Sequence, residues 1–373
     1  MKRITNSIFF LLITISTTVM AKQLSAVPIK ILFGSCLHQD KPQPIWQAMN
    51  QEQGDLFVLL GDNVYGDTED MAELKAIYAK QWSKLGMQTM LANTPTIGIW
   101  DDHDFGENDA GAEYPQKEAS RQIMLDYFNV PKESPRRTRV DGIYTGHILT
   151  QANKKVQIIL PDLRWNRSPL ESVGRLNYML SKAPNNLGPY LPSQDGSTTM
   201  LGETQWQWLE QQLQQPADVR ILATSLQFLP EFSGWESWAN FPHERQRFLA
   251  LLDKYQIDNL VIVSGDTHWS EFGQITRKTG QALWEMTASG LTEEWKNVSP
   301  NQHRVGESYA KANYGVIELS DKQLTMSIKD VSGNTVMSHI IELTNPCPQS
   351  RLKCHYSTVE KRTRRAHCMH LRI

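Results

Sequence analysis

Short apolar runs separated by amphipathic stretches set the rhythm of this chain. Ile29 to Phe33, Leu56 to Leu60, Thr96 to Trp100, Val156 to Leu160, Val219 to Thr224 and Leu260 to Val263 are mostly compact apolar runs. That is the pattern of strands buried on both faces of a sheet. Between them, Met71 to Trp82, Glu118 to Phe128, Thr204 to Gln214 and Glu244 to Tyr255 repeat apolar positions at helical spacing. Strand then helix, repeated, predicts an α/β protein. Near the C-terminal end the pattern changes. Tyr314 to Leu319, Gln323 to Ile328 and Thr335 to Leu343 read as antiparallel strands, the last two joined through the turn signal Ser332-Gly333-Asn334.

The two ends of the chain do not fit this pattern. Lys2 and Arg3 precede an apolar run from Ile8 to Ile15, and Val19-Met20-Ala21 follows as a small-residue cleavage site. The run is far short of the about 20 apolar residues that span a bilayer, so residues 1–21 read as a signal peptide and the mature chain as periplasmic or secreted, with no transmembrane anchor after processing. No cysteine follows the cleavage site as a lipoprotein would require. Residues 346–373 form a basic, cysteine-containing tail without apolar periodicity, read as flexible and outside the fold. Export permits disulfides, and Cys347, Cys354 and Cys368 read as one disulfide plus a spare thiol.

The tail holds seven of the 38 basic residues and one of the 40 acids, so the body, residues 22–345, is distinctly acidic. No nucleic-acid binding by such a body is expected. No Pro/Gly/Ser linker, charge block or internal repeat divides it, which argues for one domain.

Candidate chemistry collects just past the strand ends, where open α/β sheets place their ligands. The first strand runs into Gly34-Ser35-Cys36, the second into Gly61-Asp62-Asn63-Val64-Tyr65, the third into Asp101-Asp102-His103-Asp104-Phe105-Gly106, and the sixth into Ser264-Gly265-Asp266-Thr267-His268. Each signal alone is weak: a Gly-Asp is usually a turn, a lone cysteine a small packed hydrophobe, a lone histidine a hydrogen-bonded structural residue. Together they place carboxylates, histidines and a thiol at one end of successive strands. Such a cluster repels itself unless a cation is bound.

With these motifs the sequence resembles the PhoD-like alkaline phosphatases, a branch of the calcineurin-like metallophosphoesterases. The resemblance runs from Phe33-Gly34-Ser35-Cys36 to Asp266-Thr267-His268. It includes Gly61 to Asp67, Trp100 to Asp109, Pro135-Arg136-Arg137, Asp162-Leu163-Arg164 and Trp238 to Arg245. It implies a four-layer α/β/β/α sandwich with two metals at the sheet edges. Asp62 would bridge the metals, with Cys36, Tyr65 and His268 on the first and Asp102 and Asp266 on the second. Whether Asp101 or Asp102 ligates stays open, because neighbours on a strand point to opposite faces. Thiolate and phenolate favour ferric iron and the surplus carboxylates favour calcium, so a dinuclear or multinuclear centre of iron with calcium is expected.

The implied chemistry is hydrolysis of small-molecule or lipid phosphate esters by attack of metal-bound hydroxide. His103 would protonate the leaving alkoxide, Arg164 would hold phosphate oxygens by paired hydrogen bonds, and Asn108 would act as a neutral helper. A salt bridge to a nearby acid is the competing role for Arg164. Arg136 and Arg137 are expected on a surface loop, with substrate contact the lesser possibility. One rival reading is a phosphodiesterase or phospholipase on the same scaffold, with the insert from Arg175 to Met200 shaping its groove. The other is a non-catalytic phosphate- or metal-binding module, which has no use for His103 as an acid. A serine hydrolase is disfavoured by the lack of a Gly-x-Ser-x-Gly elbow.

Overall fold

The computed structural model describes residues 28–343, apart from 152 and 232. The leader and the tail with its three cysteines lie outside the described residues. In chain order the strands of the first half are β1 (Ile29–Gly34), β2 (Leu56–Leu60), β3 (Thr96–Ile99), β4 (Thr145–Gln151), β5 (Lys154–Leu160), β6 (Glu171–Ser172) and β7 (Tyr190–Leu191). The second half contributes β8 (Val219–Ala223), β9 (Leu260–Ser264), β10 (Ser270–Thr276), β11 (Ala282–Ala288), β12 (Arg304–Tyr309), β13 (Asn313–Leu319), β14 (Gln323–Asp330) and β15 (Thr335–Glu342). The α-helices are α1 (Ile45–Gln51), α2 (Met71–Trp82), α3 (Leu85–Asn93), α4 (Asp102–Phe105), α5 (Lys117–Tyr127), α6 (Arg175–Asn177), α7 (Glu203–Leu213) and α8 (Pro242–Lys254).

Two large sheets carry the fold. One runs β15-β14-β13-β1-β2-β3, the other β12-β10-β11-β9-β8-β5-β4. Strands β1, β2 and β3 are parallel in the first, and β5, β8, β9 and β11 are parallel in the second. Side-chain alternation decides which face meets what. Leu56, Val58 and Leu60 of β2 point into the core between the sheets, while Phe57 and Leu59 pack outward with Trp46 of α1 and Met87 and Met90 of α3. In the opposite sheet, Ile158, Ile221 and Val263 face the same central core, and Ile159, Leu222 and Ile262 pack outward against Trp206 and Leu209 of α7 and Phe248 of α8. The order helix, sheet, sheet, helix is the four-layer α/β/β/α sandwich.

The two sheets join at one end. Gly290, just after β11, forms an antiparallel bridge with Asn313 at the start of β13. Leu291 and Thr292 donate their backbone N–H groups to the Ser35 and Cys36 carbonyls at 3.0 Å. The loop after β1 is thereby tied to the loop after β11.

Several expectations shift. Strand β3 ends at Ile99 because Asp101 is the N-cap of α4, so Asp101 and Asp102 leave the strand altogether and pleat alternation does not apply to them. Strands β4, β10, β11 and β12 escaped the apolar-run pattern: β4 alternates half-buried and exposed positions, β12 is largely exposed, and β10 and β11 bury the acids Glu271 and Glu285. Arg136 and Arg137 are not free on a surface loop. Arg136 donates to the Ile143 and Gly98 carbonyls and Arg137 to those of Val130 and Pro131, which turns both guanidinium groups into clamps on the chain.

Gly61 ends β2 with φ of 102°, and a Cβ there would lie 2.5 Å from Asp101 Cβ. Gly61→Ala is therefore expected to destabilise the fold by about 1–3 kcal/mol and to push the loops after β2 and β3 apart. Thermal unfolding and metal content measured on the same variant would check both effects.

Candidate metal centre

The parallel strands of both sheets deliver their carboxyl ends to one place. β1 brings Cys36, β2 brings Asp62 and Tyr65, and β3 leads to Asp101, Asp102 and His103. From the other sheet, β5 leads to Arg164, β8 to Ser225, β9 to Asp266 and His268, and β11 to Ser289. Backbone strain concentrates here. Cys36, Asp62, Asp266 and His268 have φ of 63°, 50°, 70° and 63°, the left-handed region that non-glycine residues seldom adopt. Such outliers persist only where the surroundings over-determine them.

Ligand atoms of Cys36, Asp62 and His268 lie within 4.8 Å of one another, and so do those of Asp62, Asp101, Asp102 and Asp266. Asp62 belongs to both groups. Two further groups, Asp62 with Asp102 and His103, and Asp102 with Asp109 and Glu236, adjoin these. The Cys36 thiol lies 3.5 Å from Asp62 Oδ2 and 3.2 Å from Ser289 Oγ. Tyr65 reaches His268 Nε2 at 3.0 Å and Asp62 Oδ2 at 3.4 Å through its hydroxyl. Its ring is stacked between His38 and His103, with centroids 4.9 and 4.2 Å away.

Burial, then the charge of neighbouring groups, dominates the electrostatics. Burial with Cys36 and Asp102 pushes Asp62 well above the usual carboxylate range, and burial with Asp101 and Asp102 does the same to Asp266. Asp101 rises to about 6 through burial in spite of Arg164. For Asp102, burial is outweighed by Arg164 and His103, which hold it below the usual range. Burial pushes the Cys36 thiol up to about 12 and His268 down to about 4. Burial would lower His103 as well, yet Asp102, Asp62 and Asp67 raise it to about 11.

The donor set fits a multinuclear metal centre. Asp62 Oδ1 and Asp101 Oδ2 are buried with no hydrogen-bond partner, and Asp102 Oδ1 has only Arg164 Nη2 at 3.5 Å, an expensive arrangement unless something else satisfies them. Burial favours the neutral form of His268, the form in which imidazole binds metals.

The acids of Asp101-Asp102-His103-Asp104 divide their labour. Asp104 accepts from the backbone N–H groups of Asp62, Asn63 and Asp101 at 3.1, 3.2 and 2.7 Å and so locks the loops after β2 and β3 together. Asp101 is held by Arg164 Nε at 2.6 Å and Ser225 Oγ at 2.8 Å. Asp102 faces a cavity of about 220 Å³ shared with His103, Asn108, Asp266 and His268. Arg164 is fully buried beneath these groups, bonded through Nη1 to Glu236 at 2.7 and 2.8 Å, with Nη2 lacking a hydrogen-bond partner. Asn108 is exposed at the cavity mouth.

Sequence reasoning passed over several participants. Asp67 holds His103 Nδ1 at 2.7 Å, Glu236 answers Arg164, and Ser289 supports Cys36 and the His268 backbone. Trp235 and Trp295 form part of the cavity wall. Asp67 stands inside the second strand-end motif and could have been singled out there. Glu236 and Trp235 lie in an irregular segment where no periodicity points to them.

Two stacked sheets with a cluster of carboxylates, imidazoles and a thiol able to hold metal at the carboxyl ends of their parallel strands define a metallophosphoesterase fold. The chain belongs to the PhoD-like phosphatases, whose family model matches residues 31–333. Alkaline phosphatase D of Bacillus subtilis (strain 168) is 24% identical over 261 residues, 60% of this chain, and the chain spans only 43% of that relative's length. Among solved structures, PhoD superposes with a TM-score of 0.65 at 16% identity, covering 85% of this chain and 69% of the other. A dimetal phosphatase from Danio rerio gives 0.51 at 14% identity, covering 85% and 99%. GAP50, described as the anchor in the inner membrane complex of Plasmodium, gives 0.55 at 13% identity, covering 86% and 90%. Identities this low establish the fold.

Arg164→Leu would leave Asp101 buried without its countercharge and Glu236 with only Arg167 at 3.5 Å, and is expected to cost about 3–5 kcal/mol. Arg247→Leu, which removes an exposed pair with Glu203, should cost at most about 1 kcal/mol. Urea unfolding of both metal-loaded variants supplies the comparison.

Proposed function

We propose that this chain is a metal-dependent phosphoesterase, exported on the leader pattern of residues 1–21, that hydrolyses phosphate esters at the centre built on Asp62. The observation that carries the reading is His103, which stands beside the carboxylate cluster with Nδ1 committed to Asp67, leaving Nε2 to serve a substrate. A protein that only binds phosphate or metal has no need of an oriented proton donor. Among the described residues no helix is long and apolar enough to cross a membrane.

Cys36, Asp62, Tyr65 and His268 would hold the first metal, and Asp62, Asp102 and Asp266 the second. The thiol, phenol and imidazole suit ferric iron, and the all-oxygen set suits calcium. Bound metals supply Lewis acidity and bring water to deprotonation near neutral pH, so no nucleophilic side chain is required. His103 gives its proton to the departing oxygen. Asn108 offers its amide to a non-bridging phosphate oxygen from the cavity mouth. Arg164 acts from below as a positioning residue that holds Asp101 and Glu236 and pairs through Nη2 with Asp102 at 3.5 Å.

A second reading, a phosphodiesterase or phospholipase, draws support from the tryptophans. Trp235, Trp269 and Trp295 give the cavity an apolar wall, suited to a second ester group that a phosphate monoester does not possess.

His103→Ala is expected to retain metal while slowing hydrolysis by about 10²- to 10⁴-fold on an alkyl ester. The loss should be much smaller on a nitrophenyl ester, whose leaving group needs little protonation. Equal losses on both, with metal gone, would move His103 to the metal shell. Cys36→Ser should lower bound iron in elemental analysis and remove thiolate-to-iron absorption. Unchanged metal content would make Cys36 a packed thiol.

A further inference from the structure

The insert between β6 and β7 carries an apolar face that is left exposed among the described residues. Leu176, Met179 and Leu180 are 72%, 57% and 72% exposed, an unusual cost in water for three neighbouring side chains on one short helical segment. The segment is α6 continued by a π turn over Tyr178–Lys182. Its inward-facing ring is Tyr178, which packs edge-on to Trp235 with centroids 6.3 Å apart, and Trp235 packs edge-on to Trp295 at 6.0 Å. Trp235 and Trp295 belong to the wall of the metal-centre cavity. The exposed face is therefore continuous with the rim of the site.

The segment is not loosely attached. Gly188 and Tyr190 donate their backbone N–H groups to the Ser233 and Gly234 carbonyls at 2.9 and 2.8 Å, and Ser299 Oγ donates to the Asn186 carbonyl at 2.6 Å. Gly188 and Gly234 approach so closely that a Cβ on either would collide with the other's backbone. Trp295 is itself 42% exposed beside exposed Lys296, and exposed Arg175 opens the helical segment. Aliphatic side chains, a rim tryptophan and flanking cations make the composition of a surface that rests in a lipid interface.

We infer that this face docks on a phospholipid surface and presents headgroup phosphodiesters to the cavity. The inference rests on the phosphoesterase reading for what happens next, but the docking stands or falls separately. The body is acidic overall, so its long-range interaction with anionic lipid is repulsive. Insertion of Leu176, Met179 and Leu180 leads, with Arg175 and Lys296 assisting at close range.

The test uses the metal-loaded full chain and its Leu176→Ser/Met179→Ser/Leu180→Ser variant. Both are sedimented with phosphatidylcholine vesicles, with and without phosphatidylglycerol. The parent chain should bind both, with no requirement for the anionic lipid, and the triple variant should lose at least about tenfold in partitioning. Turnover of a water-soluble aryl phosphodiester should change by less than about twofold, since all three side chains lie outside the cavity. Failure of the parent chain to bind vesicles, or equal binding by the variant, overturns the proposal. So does a dimer in sedimentation velocity that the variant abolishes without vesicle binding in the parent, because a second copy would then own the face. If vesicle binding holds and disappears in the variant while no ester is hydrolysed, the docking surface stands and the phosphoesterase reading falls.

Discussion

Buried carboxylates crowded against one another set the terms for this protein. Asp62, Asp101, Asp102 and Asp266 place oxygens within 4.8 Å of each other at the seam of two sheets. Like charges at that spacing in a low-dielectric site raise each other's pKa or require cations. Arg164 supplies one positive charge from beneath and is itself positioned by Asp162, which accepts its backbone N–H at 2.9 Å. Multivalent cations above are the economical way to answer the rest. The left-handed turns at Cys36, Asp62, Asp266 and His268 follow from the same demand, since each aims a side chain back over its strand end.

The scaffold was readable because burial leaves a pattern. Strands packed on both faces appear as apolar runs, and β1, β2, β5, β8 and β9 were visible in that form. Where burial is one-sided or polar, the signal fades. β11 hides Glu285, which accepts backbone N–H groups from Phe228 and Leu229 at 2.8 and 2.6 Å, so a structurally satisfied acid reads in sequence as a surface residue. The site was legible where chemistry sits at a strand end, as with Asp62 or Asp266. It was illegible where the partner comes from irregular chain, as with Glu236, whose role depends on Arg164 being 72 residues away in sequence and in contact in space. Asp101 and Asp102 show the same limit. Their division of labour follows from a helix cap that stands two residues past the strand end.

The fold alone does not decide what such a protein does. The same architecture serves a dimetal phosphatase and a protein described as an anchor, so function has to be argued from side chains. The telling features in this chain are carboxylate oxygens without hydrogen-bond partners, a histidine fixed through one ring nitrogen, and a cavity with a polar floor and an indole wall.

The bridge between Gly290 and Asn313 has a bearing on how the molecule comes into being. Groups that meet at the centre are remote along the chain: Tyr65 and His268 are 203 residues apart and Cys36 and Ser289 are 253. Contacts of such separation form late, after most loop-closure entropy has been spent. A nascent polypeptide therefore possesses fragments of a chelate and no chelate. Cation capture becomes an event of maturation, coupled to the closing of the two sheets, and an occupied centre certifies that the whole body has reached its native arrangement.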